Sequence, residues 1–114
     1  ENPWLIRSFD ELKKRKFDGI FSNDVIEHLT DPIRDLRAMK ELLKPQGVMV
    51  HCSGCYEYAF EYTRFHLVFF TGDSINRVAH AAGLTCELGE RLFPDSPARL
   101  CTFVPDEKLK GKGQ

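Results

Sequence analysis

The sequence predicts an α/β fold: an open sheet with two main helices, ending in an antiparallel pair of strands. Three observations point there. Ile33, Leu36, Met39, Leu42 and Leu43 recur at helical spacing, and directly after them Val48, Met49 and Val50 form an unbroken apolar run. The candidate elements follow the order strand, helix, strand, loop, helix, strand, strand, which sets helices between parallel strands before the chain turns back on itself. A chain of 114 residues, 42% hydrophobic and 29% charged, supplies one core and no second domain.

Ser8 and Glu11 have the spacing of a capping box, so a short helix is expected over Phe9 to Lys16, its basic end solvated. Phe17 to Ser22 is short, aromatic and apolar, and the polar pair Asn23–Asp24 ends it: a strand. Thr30-Asp31-Pro32 sets a capping side chain before a proline at the first helical position, and the helix begun there should run to Lys44, where Pro45 stops it. Gly47 opens the next strand, whose continuous apolar run predicts cover on both faces. Cys55 to Thr63 reads as a loop or mobile helical segment. Thr71 is positioned to cap a helix with Ile75, Val78, Ala79 and Ala82 on one side, and Gly83 supplies the left-handed residue beyond its end. Leu84 to Leu92 and Arg99 to Val104 are strands joined through Pro94-Asp95-Ser96-Pro97. Residues 1–105 are thus read as the folded unit and 106–114 as a flexible tail.

Sixteen Lys and Arg balance seventeen Asp and Glu, so no basic surface points to nucleic acid or to an anionic membrane. No apolar stretch is long enough to span a bilayer, and a cytoplasmic setting is expected. Ligands of such sheets sit at the carboxyl ends of the strands, which directs attention to Ser22–His28 and to Ser53–His66.

The blocks Phe17-Asp18-Gly19-Ile20-Phe21-Ser22-Asn23-Asp24-Val25-Ile26-Glu27-His28-Leu29 and Leu42-Leu43-Lys44-Pro45-Gln46-Gly47-Val48-Met49-Val50, with His66 to Thr71 and Ala81 to Leu84, resemble the C-terminal half of a class I S-adenosylmethionine-dependent methyltransferase domain. The resemblance implies the later strands of a Rossmann-like sheet and transfer of a methyl group from S-adenosylmethionine to an O, N or C nucleophile of a small molecule. It implies that Asn23 and Asp24, with Ser22 beside them, bind the cofactor. Glu27 and His28 would border the reaction pocket, and His66 with the aromatic residues before it would lie on the substrate side. Gln46 departs from the glycine usual in that turn, while Gly47 is retained.

The family's glycine-rich turn and the acidic residue that holds the ribose are missing, and about sixteen residues before Phe17 are too few for three further strands. The chain is therefore expected to be part of a longer chain or assembly and not to hold the cofactor alone. The Phe17 strand would then be an edge beside a bare apolar face, partnered by self-association or by a missing N-terminal half.

His28 and His66 are the candidate catalytic residues, since an imidazole can take a proton from the acceptor near neutral pH; the competing reading of each is a hydrogen-bonded structural histidine. Cys52-Ser53-Gly54-Cys55 has the spacing of half a zinc or redox site but lacks a second closely spaced pair, so no metal is assigned. The alternative to an enzyme is a non-catalytic interaction or dimerisation module built on the same scaffold.

Overall fold

The computed structural model describes residues 5, 6, 8–56 and 68–106. The chain forms α1 (Phe9–Leu12), β1 (Phe17–Asn23), a 3₁₀ turn (Ile26–His28), α2 (Pro32–Glu41), β2 (Leu43–Ser53), α3 (Ser74–Ala81), β3 (Leu84–Arg91) and β4 (Arg99–Pro105). The sheet order is β1-β2-β4-β3. β1 and β2 run parallel, and β4 lies antiparallel to both β2 and β3. The α/β class and the closing antiparallel pair are as expected; β4 slots between β2 and β3, an order the sequence does not reveal.

α1 is a single turn, shorter than the expected Phe9 to Lys16. The Glu11 N–H does donate to Ser8 Oγ at 3.4 Å. Beyond Leu12 the backbone tightens into i→i+3 bonds, Lys14 to Glu11 and Arg15 to Leu12, which consecutive basic side chains tolerate in water. α2 starts as its cap dictates: Asp31 Oδ1 accepts the Arg34 N–H at 3.1 Å, an interaction that typically contributes about 1 kcal/mol. The helix ends at Glu41, ahead of the expected Lys44, because Leu42 and Leu43 are taken by the sheet. The Phe17 N–H donates to Leu42 O at 2.8 Å, and Leu43 pairs with Phe17.

β2 accordingly contains Pro45, which a regular ladder position would reject. The register explains its presence: Phe17 faces Leu43 but Gly19 faces Val48, so Lys44 to Gly47 bulge out of the pairing. Gly47 closes this bulge where a Cβ would meet Asp18 O and Lys44 O, each at 3.1 Å. Replacing the neighbouring glycine by Gln46, which is exposed, disturbs nothing in that contact.

α3 begins at Ser74 with Asp73 as its cap position, correcting the expectation for Thr71. Thr71 instead offers its carbonyl, which accepts from the Ser74 N–H at 3.1 Å and from Ser74 Oγ at 2.7 Å. Ile75, Ala79 and Ala82 are buried as the spacing requires, and Gly83 leaves the helix at φ +80°. Arg37 donates to Ala81 O at 2.6 Å, placing a cation on the negative end of α3 and tying the two helices together.

Ile26, Leu36, Met49, Phe70, Ile75, Leu84, Cys101 and Phe103 form the core on one face of the sheet. The opposite face carries Phe21, Val48, Val50 and Val104, which lie outside that cluster, and Phe21 is 67% exposed. β2 is thus fully covered on one face only, not on both, because the described helices contribute to a single core. Asp106, read from the sequence as the start of the tail, accepts a hydrogen bond from Thr85 Oγ1 at 2.6 Å and donates its N–H to Gly83 O. Residues 107–114 and 57–67, the latter including most of the loop expected over Cys55 to Thr63, lie outside the described residues. Among the described residues no helix is long and apolar enough to cross a membrane.

Candidate functional site

The parallel strands β1 and β2 end side by side, and a cavity of about 350 Å³ opens at their carboxyl ends. Asn23, Asp24, Cys52 and Gly54 line it from the strand ends, and Leu92, Phe93, Ser96, Pro97 and Ala98 from the turn between β3 and β4. The turn reaches this end of the sheet because β4 enters antiparallel, pairing Arg99 with Ser53 at the last position of β2.

Asp24 has φ +58°, the only positive φ among the described non-glycine residues. A left-handed aspartate is tolerable but costs free energy, and its N–H donating to Cys52 O at 2.9 Å holds it there. The strand is thereby turned sharply at the cavity mouth, with the carboxylate exposed. Burial is the first cause that keeps the Cys52 thiol above its usual range, followed by the negative charges of Asp24 and Glu27. Cys52 is therefore a neutral thiol at physiological pH, with little thiolate to act as a nucleophile.

Strand alternation divides the other candidates. Ser22 points to the packed face, where its Oγ lies 2.5 Å from His51 Nδ1, while Asn23 and Asp24 line the cavity. His28 is exposed at the end of the 3₁₀ turn, its Nε2 4.0 Å from Glu27 Oε2, and it is not a lining residue of the cavity. His66, with Tyr58 and Tyr62, lies outside the described residues.

Glu27 is 1% exposed, and Ser53 Oγ donates to its Oε1 at 3.0 Å. Ser53 Oγ also accepts the Cys55 N–H at 3.0 Å, and the Glu27 carbonyl accepts the Val68 N–H at 3.2 Å. This buried carboxylate fixes the loops leaving β1 and β2 relative to each other. Cys55 is buried in that arrangement, and Cys52, Cys55, Cys86 and Cys101 are not joined in disulfides. No group of three or more His, Cys, Asp or Glu side chains converges among the described residues.

Leu92, Phe93 and Ser96 to Ala98 line the cavity without any site motif in the sequence to announce them. The available signal was two apolar residues set directly before a turn, a place where neither strand packing nor turn chemistry requires them.

A family described as methyltransferase domain matches residues 4–88. Over 38 residues the chain is 47% identical to ubiquinone biosynthesis O-methyltransferase of Dinoroseobacter shibae, and 50% identical to the protein of that name from Cereibacter sphaeroides. Each alignment takes in 33% of this chain and 15% of the relative. Among solved structures, CalO1, a methyltransferase in calicheamicin biosynthesis in its SAH-bound form, has a TM-score of 0.62 at 13% identity. It covers 82% of this chain, which spans 32% of CalO1. LaPhzM has a TM-score of 0.58 at 15% identity, covering 80% of this chain and 31% of its own.

Proposed function

The chain belongs to the methyltransferase domain family, and from that premise we propose that it forms one side of a site transferring a methyl group from S-adenosylmethionine to a small-molecule O, N or C nucleophile, within a longer chain or assembly. The observation that carries this reading is the cavity at the ends of β1 and β2, with Asn23 and the left-handed Asp24 at its mouth. An acidic carboxylate beside a carboxamide suits a ligand bearing an ammonium and a sulfonium charge. Asn23 and Asp24 would hold the amino acid end of S-adenosylmethionine, whose methyl group is open to in-line displacement. Ser22 supports them from the packed face through His51. His28 and His66 are proposed to take the acceptor's proton where its ionisation requires a base; otherwise alignment of the nucleophile suffices.

The adenosine would be held by residues beyond those of this cavity, so the 1–105 unit is proposed to work beside a preceding half domain or a second copy of itself, in the cytoplasm. CalO1, which carries SAH, contains about three times the length matched here. The second reading, a non-catalytic interaction or dimerisation module, is favoured by the exposed Phe21 on the outer strand β1.

Calorimetry with S-adenosylmethionine on the 114-residue chain and on a longer natural version separates the two. The expected result is micromolar binding by the longer version, weakened about tenfold by Asp24→Asn through loss of one charged contact, and no saturable binding by the short chain. Absence of binding by both would favour the interaction module. Saturable binding by the short chain alone would refute the requirement for a second half.

A further inference from the structure

The four cysteines are unequally placed: Cys52, Cys55 and Cys101 are buried, and Cys86 is half-buried. Strand alternation puts Leu84, Cys86 and Leu88 of β3 on the core side of the sheet, with Cys101 and Phe103 of β4 beside them. In the ladder Cys86 faces Phe103 and Leu88 faces Cys101, so the two cysteines are diagonal neighbours on adjacent strands. Their thiols share a hydrogen bond in which Cys101 donates, and the Cys86 thiol donates in turn to Asn76 Oδ1 of α3 at 3.1 Å. Asn76 is held for this role by its own Nδ2, which donates to Asp73 Oδ1 at 3.0 Å. Two thiols in contact, one reachable from solvent and one enclosed, suit the roles of attacking and resolving cysteine.

Their position gives such a pair a consequence. From Leu88 to Arg91, β3 advances by one residue more than β4 does from Cys101 to Arg99, so a bulge lies between the cysteines and the turn. Arg99 Nε spans it, donating to Gly89 O at 2.6 Å. The turn beyond supplies Leu92, Phe93 and Ser96 to Ala98 to the cavity. A diagonal spacing of about 7 Å between Cα atoms is at the long end of what a disulfide spans, so bonding the two sulfurs must slide β3 along β4. The bulge is the nearest place where that slide is absorbed, and the turn moves with it.

We propose that Cys86 and Cys101 form a redox-sensitive latch, a reversible disulfide that shifts β3 on β4 and, through the bulge, resets the turn at the cavity. With hydrogen peroxide as oxidant, the Cys86 sulfur, its proton released, attacks one peroxide oxygen. The O–O bond breaks, the departing hydroxide takes up that proton as water, and Cys86 becomes a sulfenic acid. The Cys101 sulfur then attacks the Cys86 sulfur, the S–O bond breaks, and hydroxide leaves with the Cys101 proton as a second water. Both sulfurs are oxidised and the peroxide is reduced: two thiols and one peroxide give one disulfide and two waters. A diagonal bond of this kind is strained, and strained disulfides are the readily reduced, regulatory ones. The latch involves no methyl donor, so it is independent of the methyl-transfer reading.

The test treats the 114-residue chain with hydrogen peroxide under native conditions, blocks the remaining thiols with N-ethylmaleimide and maps cross-links by mass spectrometry of the unreduced digest. Amide spectra of the reduced and oxidised chain are recorded in parallel. The expected product joins Cys86 to Cys101 within one chain and leaves Cys52 and Cys55 as thiols. Before oxidation, Cys86 should be alkylated about tenfold faster than Cys101. Oxidation should shift the amides of Gly89, Leu92, Ser96 and Ala98, and reduced glutathione should reverse it at a concentration that leaves structural disulfides intact. Cys86→Ser should abolish the cross-link while keeping the amide spectrum of the reduced fold, and in Cys101→Ala the oxidised Cys86 should be trapped by dimedone as its sulfenic acid. A bond between Cys52 and Cys55, over-oxidation of Cys86 with Cys101 still a thiol, or a Cys86–Cys101 bond that leaves the turn amides unmoved would overturn the proposal.

Discussion

His51 sits on the packed face of β2 with no exposed surface, and burial depresses its pKa from 6.5 to about 4. Nδ1 meets Ser22 Oγ, while Nε2 is buried with no hydrogen-bond partner, beside the ring of Phe103 at 5.3 Å between centroids. The neutral tautomer that donates from Nδ1 to Ser22 leaves only a bare lone pair at Nε2, cheaper to bury than an unpaired N–H. Two titratable neighbours are Tyr56, whose hydroxyl donates to His51 O at 2.9 Å, and Cys101, opposite His51 in the ladder. Both are held above their ordinary values, Tyr56 first by burial and Cys101 first by its hydrogen bond with Cys86, so both stay protonated while His51 titrates. Below pH 6.5 the unfolded chain takes up a proton at His51 that the native chain refuses until about pH 4, so stability falls as pH drops through that interval. The loss should reach about 3 kcal/mol at most, read as a falling urea midpoint between pH 7 and pH 4. His51→Leu should flatten that dependence; an unchanged slope in the variant would place its origin elsewhere. In the sequence, the polar pair Asn23–Asp24 was legible as the end of an apolar strand, where the structure opens the cavity. The inward turn of Ser22 follows from strand alternation once the face is known, but which face packs is decided by helices whose placement no single residue announces.

β1 shows how far element boundaries could be read. Its ends follow from composition, and the Asp31-Pro32 cap places the start of α2, because both signals are local. The end of α2 is not legible in the sequence because Leu42 and Leu43 fit the helical stripe equally well; pairing of Leu43 with Phe17, a contact across 26 positions, decides against the helix. β1 is also an outer strand of the described sheet, with Phe21 exposed on its bare face. An outer strand with free N–H and C=O groups beside apolar area favours addition of another strand. Sedimentation of the 114-residue chain should therefore show concentration-dependent self-association, abolished by Phe21→Lys, which sets a charge on the joining face. A monomer across the concentration range would show that this edge needs no partner.

As a whole, the molecule is organised by one topological fact that the order of elements along the chain does not contain: β4 lies between β2 and β3 and runs against both. That insertion carries the β3–β4 turn to the carboxyl ends of the parallel strands and makes a cavity where a strand end alone would leave an open surface. The fold class was legible because apolar periodicity is dictated locally. The far wall of the site was not, because it depends on long-range pairing between Ser53 and Arg99. The central claim is that the ends of β1 and β2 receive the methyl donor. Its most direct test is a map of amide shifts when S-adenosylhomocysteine is titrated into this chain joined to the preceding half of a methyltransferase domain. The account predicts the largest changes from these strands at Asn23, Asp24, Cys52 and Gly54. Saturation with those four amides unmoved, and changes confined to the opposite ends of β1 and β2 near Phe17 and Gly47, would contradict it.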